Sequence, residues 1–287
     1  MASLRDIKQR KGSIQSTQQI TKAMKLVSTV KLQKARIRAE EANPYFNYMY
    51  QTVTSMLAKS GNLEHPYLKA GSSSKKAVIA ISSNRGLAGG YNSNIVKLLT
   101  ESEIRREDVK VYAIGRKAME GLARKGYEIQ ADYSDVIDGP TYGDAMTISK
   151  EVLDAYTNGE IGEIYLAYTH FKNTVSHIPT LIKLLPVEFD QEELSSSSAD
   201  TNIPMNYEPG EEEALNQIIP KYVTSLFYGA LVEAVASENG ARMQAMDSAT
   251  SNAEDMISDL ELKYNRARQS SITQELTEII AGAEAIS

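Results

Sequence analysis

The chain has 287 residues, of which 42% are hydrophobic and 24% charged, so it can fold as one large domain or two smaller ones. It has no cysteine, which excludes thiol nucleophiles, disulfides and cysteine-ligated zinc, and its three histidines lack the spacing of a metal or catalytic cluster. No stretch approaches the roughly 18 apolar residues of a membrane span, and the charged N-terminus does not resemble a secretory signal. We therefore expect a cytosolic protein, or one held on the cytosolic side of a membrane by its partners.

The charge is distributed unevenly along the chain. Residues 1–40 contain ten cations and two anions, a net charge of +8, whereas residues 187–213 contain nine acids and no lysine or arginine. This segregation indicates partners of opposite charge. A nucleic-acid-binding adaptor is one alternative, and it predicts salt-sensitive binding through residues 5–38. Against it, these cations surround the predicted helix instead of forming one stripe, and no aromatic residues are interleaved to stack on bases.

The N-terminal segment, residues 1–59, is predicted to be one long helix. No proline interrupts it before Pro44, where the preceding Asn43 favours a kink. A continuous helix from 4 to 59 would be roughly 84 Å long. Residues 60–76 have the composition of a loop or linker. The apolar seam of the helix is thin, and we expect it to pair with a second helix through Leu4, Ile7, Ile14, Ile20, Met24 and Val27.

The centre of the chain, residues 77–189, alternates short apolar strands with helices. This alternation predicts an open, doubly wound α/β sheet of Rossmann-like type, closed by one antiparallel strand. Residues 190–210 are expected to form an acidic loop. The predicted strands are Ala77–Ile81, Val109–Ile114, Tyr127–Tyr133, Glu163–Thr169 and Val175–Leu185, and the predicted helices are Asn92–Glu103, Arg116–Lys125 and Asp144–Tyr156.

The C-terminal segment, residues 211–287, carries a 3.5-residue repeat that is typical of a helix in a coiled coil. A domain inserted between two terminal helices is most simply built with those helices antiparallel. We therefore predict an antiparallel coiled coil, a shaft that projects from the central sheet domain and whose C-terminal helix extends about 15 Å beyond its partner. The repeat comprises Leu215, Ile218, Tyr222, Ser225, Gly229, Val232, Ala236, Asn239, Met243, Met246, Thr250, Ala253, Ile257, Leu260, Tyr264, Ala267, Ser271 and Gln274.

The glycine-rich stretch SSNRGLAGGYNS, residues 82–93, follows the first strand, where a phosphate-binding turn would lie. Its glycines do not make the G-x-G-x-x-G spacing, and no G-K-[ST] follows. A tight strand-to-helix turn accounts better for the stretch, and no pair of carboxylates has a catalytic spacing. The alternative, a Rossmann-like enzyme with a helical oligomerisation arm, predicts nucleotide binding by the isolated chain.

Four sequence stretches are similar to the gamma subunits of bacterial F-type ATP synthases, and the similarity runs along the whole chain. They are TQQITKAMKLVSTVKLQKA (17–35), SSNRGLAGGYN (82–92), ARMQAMDSATSNA (241–253) and YNRARQSSITQELTEIIAGAEA (264–285). The resemblance implies a non-catalytic rotor shaft without a cofactor or a nucleic-acid partner. It also implies peripheral attachment, through the c-ring, to the cytoplasmic face of the bacterial cell membrane.

In that family the shaft turns inside a hexamer of alpha and beta subunits, with the epsilon subunit and the c-ring at its other end. Proton-driven rotation of the ring drives ATP synthesis at the beta subunits, and ATP hydrolysis drives the reverse. Some relatives carry a cysteine-containing regulatory insertion, but a chain without cysteine excludes such thiol control.

The same resemblance implies roles for individual residues, each with coil packing or a solvated charge as the alternative. Contacts with beta subunits are expected at Met24, Lys25, Arg242, Gln244, Arg268, Gln269 and Thr273. An apolar bearing is expected at Ile279, Ile280 and Ile286, and a c-ring contact at Tyr207 and Glu208.

Overall fold

The computed structural model describes residues 4–59, 65–187 and 210–284. Long helices begin and end the described chain, and a five-stranded mixed sheet lies between them, which confirms the predicted fold class. The helices are α1 (Leu4–Lys59), α2 (Tyr91–Thr100), α3 (Arg116–Arg124), α4 (Tyr142–Thr157) and α5 (Glu211–Glu284). The strands are β1 (Lys76–Ile81), β2 (Val109–Ile114), β3 (Glu128–Asp132), β4 (Glu163–Phe171) and β5 (His177–Leu185).

The sheet has the strand order β3-β2-β1-β4-β5. The first four strands are parallel, and β5 pairs antiparallel with β4. The antiparallel last strand was predicted, but it begins at His177 and not at Val175. The reason is a turn in which the side-chain oxygen of Asn173 accepts hydrogen bonds from the backbone N–H groups of Val175 and Ser176.

Both faces of the sheet are covered, as the continuous apolar strands require. On one face α2 and α3 pack against the sheet through buried residues such as Ile95 and Leu122. On the other face α4 packs together with the second half of α1 and the first part of α5, through residues such as Ile148, Val53 and Phe227. The second half of α1 and the first part of α5 are therefore structural components of the sheet domain.

The first part of α5 is buried over more of its circumference than a coiled-coil seam. The repeat residues Leu215 and Tyr222 are buried, but so are Ile219, Phe227 and Leu231, which lie outside the repeat. A helix that packs on a sheet and on another helix needs a wide apolar face, whereas a two-helix seam needs a narrow one. The prediction of a coiled-coil helix from residue 211 onward was therefore too simple for this part.

The chain divides into two compact units, Met1–Ser28 with Arg242–Ser287, and Thr29–Ala241. This division cuts both terminal helices, whereas the sequence-based scheme assigned each helix to one domain. In the described part, α1 remains helical through Pro44. The first unit is a pair of helices, and the second contains the sheet.

The described part of the predicted linker packs against the sheet domain. His65 and Tyr67 are buried, and the Tyr67 ring stacks on Tyr156 of α4 with ring centroids 6.1 Å apart. The Tyr156 hydroxyl donates a hydrogen bond to the carbonyl of Lys69 at 2.6 Å. Residues 65–69 therefore belong to the core of this unit.

One stretch of α5 is apolar enough, by length and composition, to cross a membrane. The share of that stretch buried inside the protein is 56%, as expected for the core helix of a folded domain. Its burial against the sheet domain accounts for its composition.

Candidate functional site

The unit formed by residues 4–28 and 242–284 is a pair of antiparallel helices with a narrow seam. Between residues 247 and 273 of α5, every residue outside the predicted repeat is exposed except Ala249. This confirms the repeat in the second half of α5. The repeat residues that are buried or half-buried from residue 243 onward are Met243, Met246, Thr250, Ala253, Ile257, Leu260, Tyr264, Ala267 and Ser271.

The facing seam of α1 is more polar than predicted. Leu4, Ile7, Ile14 and Met24 lie in it as expected, but Ile20 and Val27 are 60% and 57% exposed, so their assignment to the seam was wrong. The seam positions are filled instead by polar residues. These are Lys11, Gln18, Thr21, Lys25 and Ser28.

Three polar pairs join the two helices at regular intervals. Nζ of Lys11 lies 2.5 Å from the Glu261 carboxylate, the Gln18 amide donates to Glu254 at 3.0 Å, and Nζ of Lys25 lies 2.6 Å from Asp247. We call these three pairs the polar ladder. Its members advance by seven residues along α1 and go back by seven along α5, which fixes an antiparallel register with a 3.5-residue period.

A hydrogen bond inside the seam supplements the polar ladder. The hydroxyl oxygens of Thr21 and Thr250 are 2.8 Å apart. Each hydroxyl also lies within hydrogen-bond distance of a backbone carbonyl on its own helix, that of Gln18 or Met246. Because a hydroxyl carries one proton, one threonine donates across the seam and the other donates to its own helix.

The C-terminal end of α5 continues beyond the start of α1. The register of the polar ladder places Leu4, the first described residue of α1, opposite Arg268. Residues 269–284 therefore extend about 24 Å further along α5. Past Ser271 every residue with described burial is exposed. The exposed apolar residues of this end, which we call the apolar tip, are Ile272, Leu276, Ile279 and Ile280.

The predicted contact residues fall into two groups by exposure. Arg242 is only 9% exposed, and Met24 is half-buried. Lys25 is occupied in part by its pair with Asp247. The more exposed group consists of Gln244, Arg268, Gln269 and Thr273.

Three other predicted site residues lie outside the described residues. They are Tyr207 and Glu208, expected at the c-ring, and Ile286, expected in the bearing.

Sequence reasoning missed an exposed apolar patch on α1. Ile20, Leu26 and Val27 are each more than half exposed, with their side chains outside the seam. The seven-residue spacing of Lys11, Gln18 and Lys25 marks the true seam, and it could have shown that Ile20, Leu26 and Val27 lie outside it. A search for a period that uses only apolar residues overlooks polar seam positions.

The glycine-rich turn after β1 forms a dense internal network. The Ser82 hydroxyl donates to the carbonyl of Gly115 at 3.1 Å and accepts from the backbone N–H of Ala118 at 2.7 Å. The Asn84 side chain accepts from the N–H of Arg116 at 3.0 Å and donates to the carbonyl of Ser134 at 2.8 Å. These bonds join the turn to the start of α3 and to Ser134. They support the interpretation of the glycine-rich stretch as a packed strand-to-helix turn.

Among the described residues, no group of three or more histidine, cysteine or acidic side chains has the geometry to hold a metal ion. The helix pair presents charged, hydrogen-bonding and apolar side chains, as its polar ladder and apolar tip show.

Comparison with known proteins identifies the family. Residues 3–286 match the family described as ATP synthase. The gamma chain of the ATP synthase of Lachnoclostridium phytofermentans is 70% identical over 290 residues, with all of both chains covered. A gamma chain of Acetobacterium woodii, named as sodium ion specific, is 39% identical, with 99% of each chain covered.

Solved structures show the same fold. The central stalk and c-ring structure of the Tetrahymena thermophila mitochondrial ATP synthase contains a chain with 25% identity and a TM-score of 0.58, covering 80% of this chain and 99% of that one. A chain of the Euglena gracilis mitochondrial ATP synthase has 18% identity and a TM-score of 0.71, covering 99% and 94%. The family match over residues 3–286 and the 70% identical gamma chain, together with this fold, show that the chain belongs to the ATP synthase gamma chain family, whose members are non-catalytic subunits of the ATP synthase complex.

Proposed function

We propose that this chain is the central rotor shaft of its ATP synthase. In this proposal it couples rotation of the c-ring, driven by protons, to conformational cycling of the catalytic beta subunits, and it works in reverse when ATP is hydrolysed. The alpha, beta and epsilon subunits and the c-ring are its partners, and it lies at the cytoplasmic face of the membrane through the ring.

The observation that carries the proposal is the polar ladder. A shaft that transmits torque must not let its two helices slide past each other. A shift of one residue would separate all three pairs at once, and it would rotate every seam residue out of contact. The pairs are individually weak, but together they oppose any shift shorter than their seven-residue spacing.

The exposed residues of α5 support the beta-subunit contacts. Arg268 and Gln269 are exposed, so a carboxylate or carbonyl of a partner can reach them. Arg242 is nine-tenths buried, so we assign its guanidinium a role closer to shaping the helix pair, with contact through its remaining exposed edge. Gln244 and Thr273 are open to a partner, whereas Met24 and Lys25 offer only part of their surface.

The apolar tip supports a bearing. Apolar contact has no preferred direction, so a helix end can turn within an apolar sleeve without locking at one angle. Ile279 is 68% exposed and Ile280 61%, and such a patch on a helix end is unusual without a partner. We propose Ile286 for the same bearing, and Tyr207 with Glu208 for contact with the polar loops of the ring, although all three lie outside the described residues.

The decisive experiment uses the absence of cysteine. A Lys125→Cys variant carries one thiol on an exposed residue after α3, to which a bead can be attached. In the immobilised complex, ATP is expected to drive continuous rotation of the bead in one direction. The parent chain is the control, because it cannot be labelled. A bead that only fluctuates while the complex hydrolyses ATP would overturn the rotor proposal.

The contact assignments need a separate test. Arg242→Ala and Arg268→Ala are expected to lower the torque or the rate of ATP synthesis in the assembled complex. Arg266→Ala, an exposed arginine two residues from Arg268, is the matched control and should leave both unchanged. If neither Arg242→Ala nor Arg268→Ala had an effect, the assigned contacts would be wrong while the rotor role still stood.

The relative whose name specifies sodium ions supports a second candidate, in which sodium ions and not protons drive rotation. Measuring ATP-driven ion uptake into membrane vesicles separates proton coupling from sodium coupling. Proton coupling predicts acidification that a protonophore abolishes and that sodium does not affect. Sodium coupling predicts sodium uptake that the protonophore leaves intact.

A further inference from the structure

An aromatic cavity of about 350 Å³ lies in the unit Thr29–Ala241. It is bounded by α1, the start of α4, the strands β4 and β5, and α5. This volume is within the range of small-molecule sites. Five aromatic side chains line it: Tyr45, Phe46, Tyr142, Tyr168 and Tyr228.

Among the described residues that line the cavity, Glu233 is the one acidic side chain and none is a lysine or arginine. Glu233 contributes a carboxylate whose oxygen lies 2.7 Å from Nδ1 of His170. Burial, together with the nearby Glu233, raises the pKa of the Tyr168 phenol to about 12, and burial raises the pKa of Tyr142. Both phenols are therefore neutral at ordinary pH, so they bring no charge of their own to the site.

Gly229 leaves the cavity open. It lies in the interior of α5, where alanine favours the helix more than glycine does. A Cβ atom added to Gly229 would meet no other heavy atom within 4 Å. The backbone could therefore accept a side chain at this position, and its absence preserves the space beside Tyr228 and Glu233.

We propose that this cavity is a binding site for a small organic cation. The faces of aromatic rings attract a positive charge, and several rings around one volume form the cage that recognises ammonium groups. Glu233 supplies the counter-charge, and Tyr142 and Tyr228, which meet edge to face with centroids 5.7 Å apart, form one wall. The site goes beyond the rotor role and does not depend on it.

The test uses the purified full-length chain and benzyltrimethylammonium as the probe. Isothermal titration should show saturable binding of one probe per chain. Benzyl alcohol, which has the ring without the charge, should bind at least about tenfold more weakly, because it lacks attraction to the carboxylate and the rings. Equal affinity for the two probes, or no saturable binding of the cation, would overturn the proposal.

Two variants assign the binding to this cavity. Glu233→Gln keeps the shape of the side chain and should weaken binding of the cation at least about tenfold, with little effect on benzyl alcohol. Gly229→Leu should fill the space and abolish binding of both probes. Gly12→Leu is the matched control, because Gly12 is also a helical glycine with no heavy atom within 4 Å of an added Cβ.

Binding that survives Gly229→Leu would place the probe elsewhere and overturn the proposal. Circular dichroism and the unfolding midpoint of each variant show whether it is folded, so that a lost site is not confused with a lost structure. The same titration with the assembled complex should retain the site. Loss of binding in the complex would overturn the proposal that the cavity binds a small organic cation in the working protein.

Discussion

The sheet domain and the terminal helix pair are held together by different means. In the sheet domain, residues such as Phe227 and Ile79 on one face of the sheet and Ile95 on the other are almost fully removed from solvent. In the helix pair, Leu260 is the largest aliphatic side chain among the buried seam residues, and it is 8% exposed. The stability of the sheet domain thus comes mainly from buried apolar area, whereas the helix pair relies on polar pairs that fix the register of its two helices. Substitutions of the same kind should therefore cost much more in the sheet domain.

The largest effect is expected for Phe227→Ala. Its ring is fully buried between α5 and the sheet, so truncation leaves a cavity and should cost about 3–5 kcal/mol of unfolding free energy. Urea unfolding of the full chain, followed by tyrosine fluorescence, measures this cost. Leu260→Ala in the helix pair should cost less, because its surroundings are thin and partly open to water.

Leu262→Ala is the control for both variants. It lies two residues from Leu260 on the same helix but is 58% exposed, so its unfolding free energy should change by less than about 0.5 kcal/mol. A loss at Leu260 that equals or exceeds the loss at Phe227 would break the distinction between the two regions.

Gly115→Ala is the next largest prediction, and it tests the turn network of the sheet domain. Gly115 has φ +100°, and an added Cβ would lie 2.3 Å from the carbonyl oxygen of Ser82. The backbone strain and the displaced carbonyl together should cost about 2 kcal/mol or more. Thermal unfolding by circular dichroism measures it. Gly12→Ala in α1 meets no atom, and it should stabilise the helix by up to about 1 kcal/mol.

If Gly115→Ala and Gly12→Ala changed the unfolding temperature equally, the turn after β1 would not be the rigid junction that its hydrogen bonds describe. Such an outcome would return the glycine-rich stretch to consideration as a flexible binding loop.

The sequence predicted the sheet domain well because its period is strong. The run Val109–Ile114 is apolar except for Lys110, a pattern typical of a buried parallel strand, and that strand has the predicted bounds. The ends of other elements shifted by a few residues because side-chain caps decide them. The helix α4, for example, begins at Tyr142 because Thr141 and Asp144 form a capping box, and not at Asp144 as predicted.

The sequence predicted the helix pair less completely, for a reason that the polar ladder makes plain. The repeat placed the α5 seam correctly from Met243 to Ser271, but its last predicted member, Gln274, is exposed. In α1 the same search assigned Ile20 and Val27 to the seam, although the seam residues there are Gln18, Thr21 and Lys25. A polar residue lies in a seam because it pairs with a polar residue on the other helix, and that partner is more than 220 residues away in the chain. A local pattern in α1 therefore does not reveal it.

A third prediction concerns the hydrogen bond between Thr21 and Thr250. Thr21→Val alone should cost about 1 kcal/mol, because it removes one partner and leaves the Thr250 hydroxyl facing an apolar group. The double variant Thr21→Val/Thr250→Val restores a matched pair of equal shape and should recover most of that loss. A double-mutant cycle on unfolding free energies measures the coupling, and strictly additive effects would show that the two hydroxyls do not depend on each other.

The smallest effect is expected for the polar ladder itself. Lys11→Gln removes the charge that faces Glu261, whose side chain is 54% exposed, so the pair should contribute less than about 1 kcal/mol at low salt. The contribution should fall further in about 1 M salt, where charges are screened within about 3 Å. Lys8→Gln, an exposed lysine on the same turn, is the control. A loss of several kcal/mol at Lys11 that persists in high salt would mean that the ladder stabilises the pair by burial, and the contrast between the two regions would then not hold. A small loss that salt screens, accompanied by slower rotation of the complex, would instead show that the ladder holds the register of the two helices under torque. Unfolding of the free chain at equilibrium applies no torque, so it does not measure this contribution.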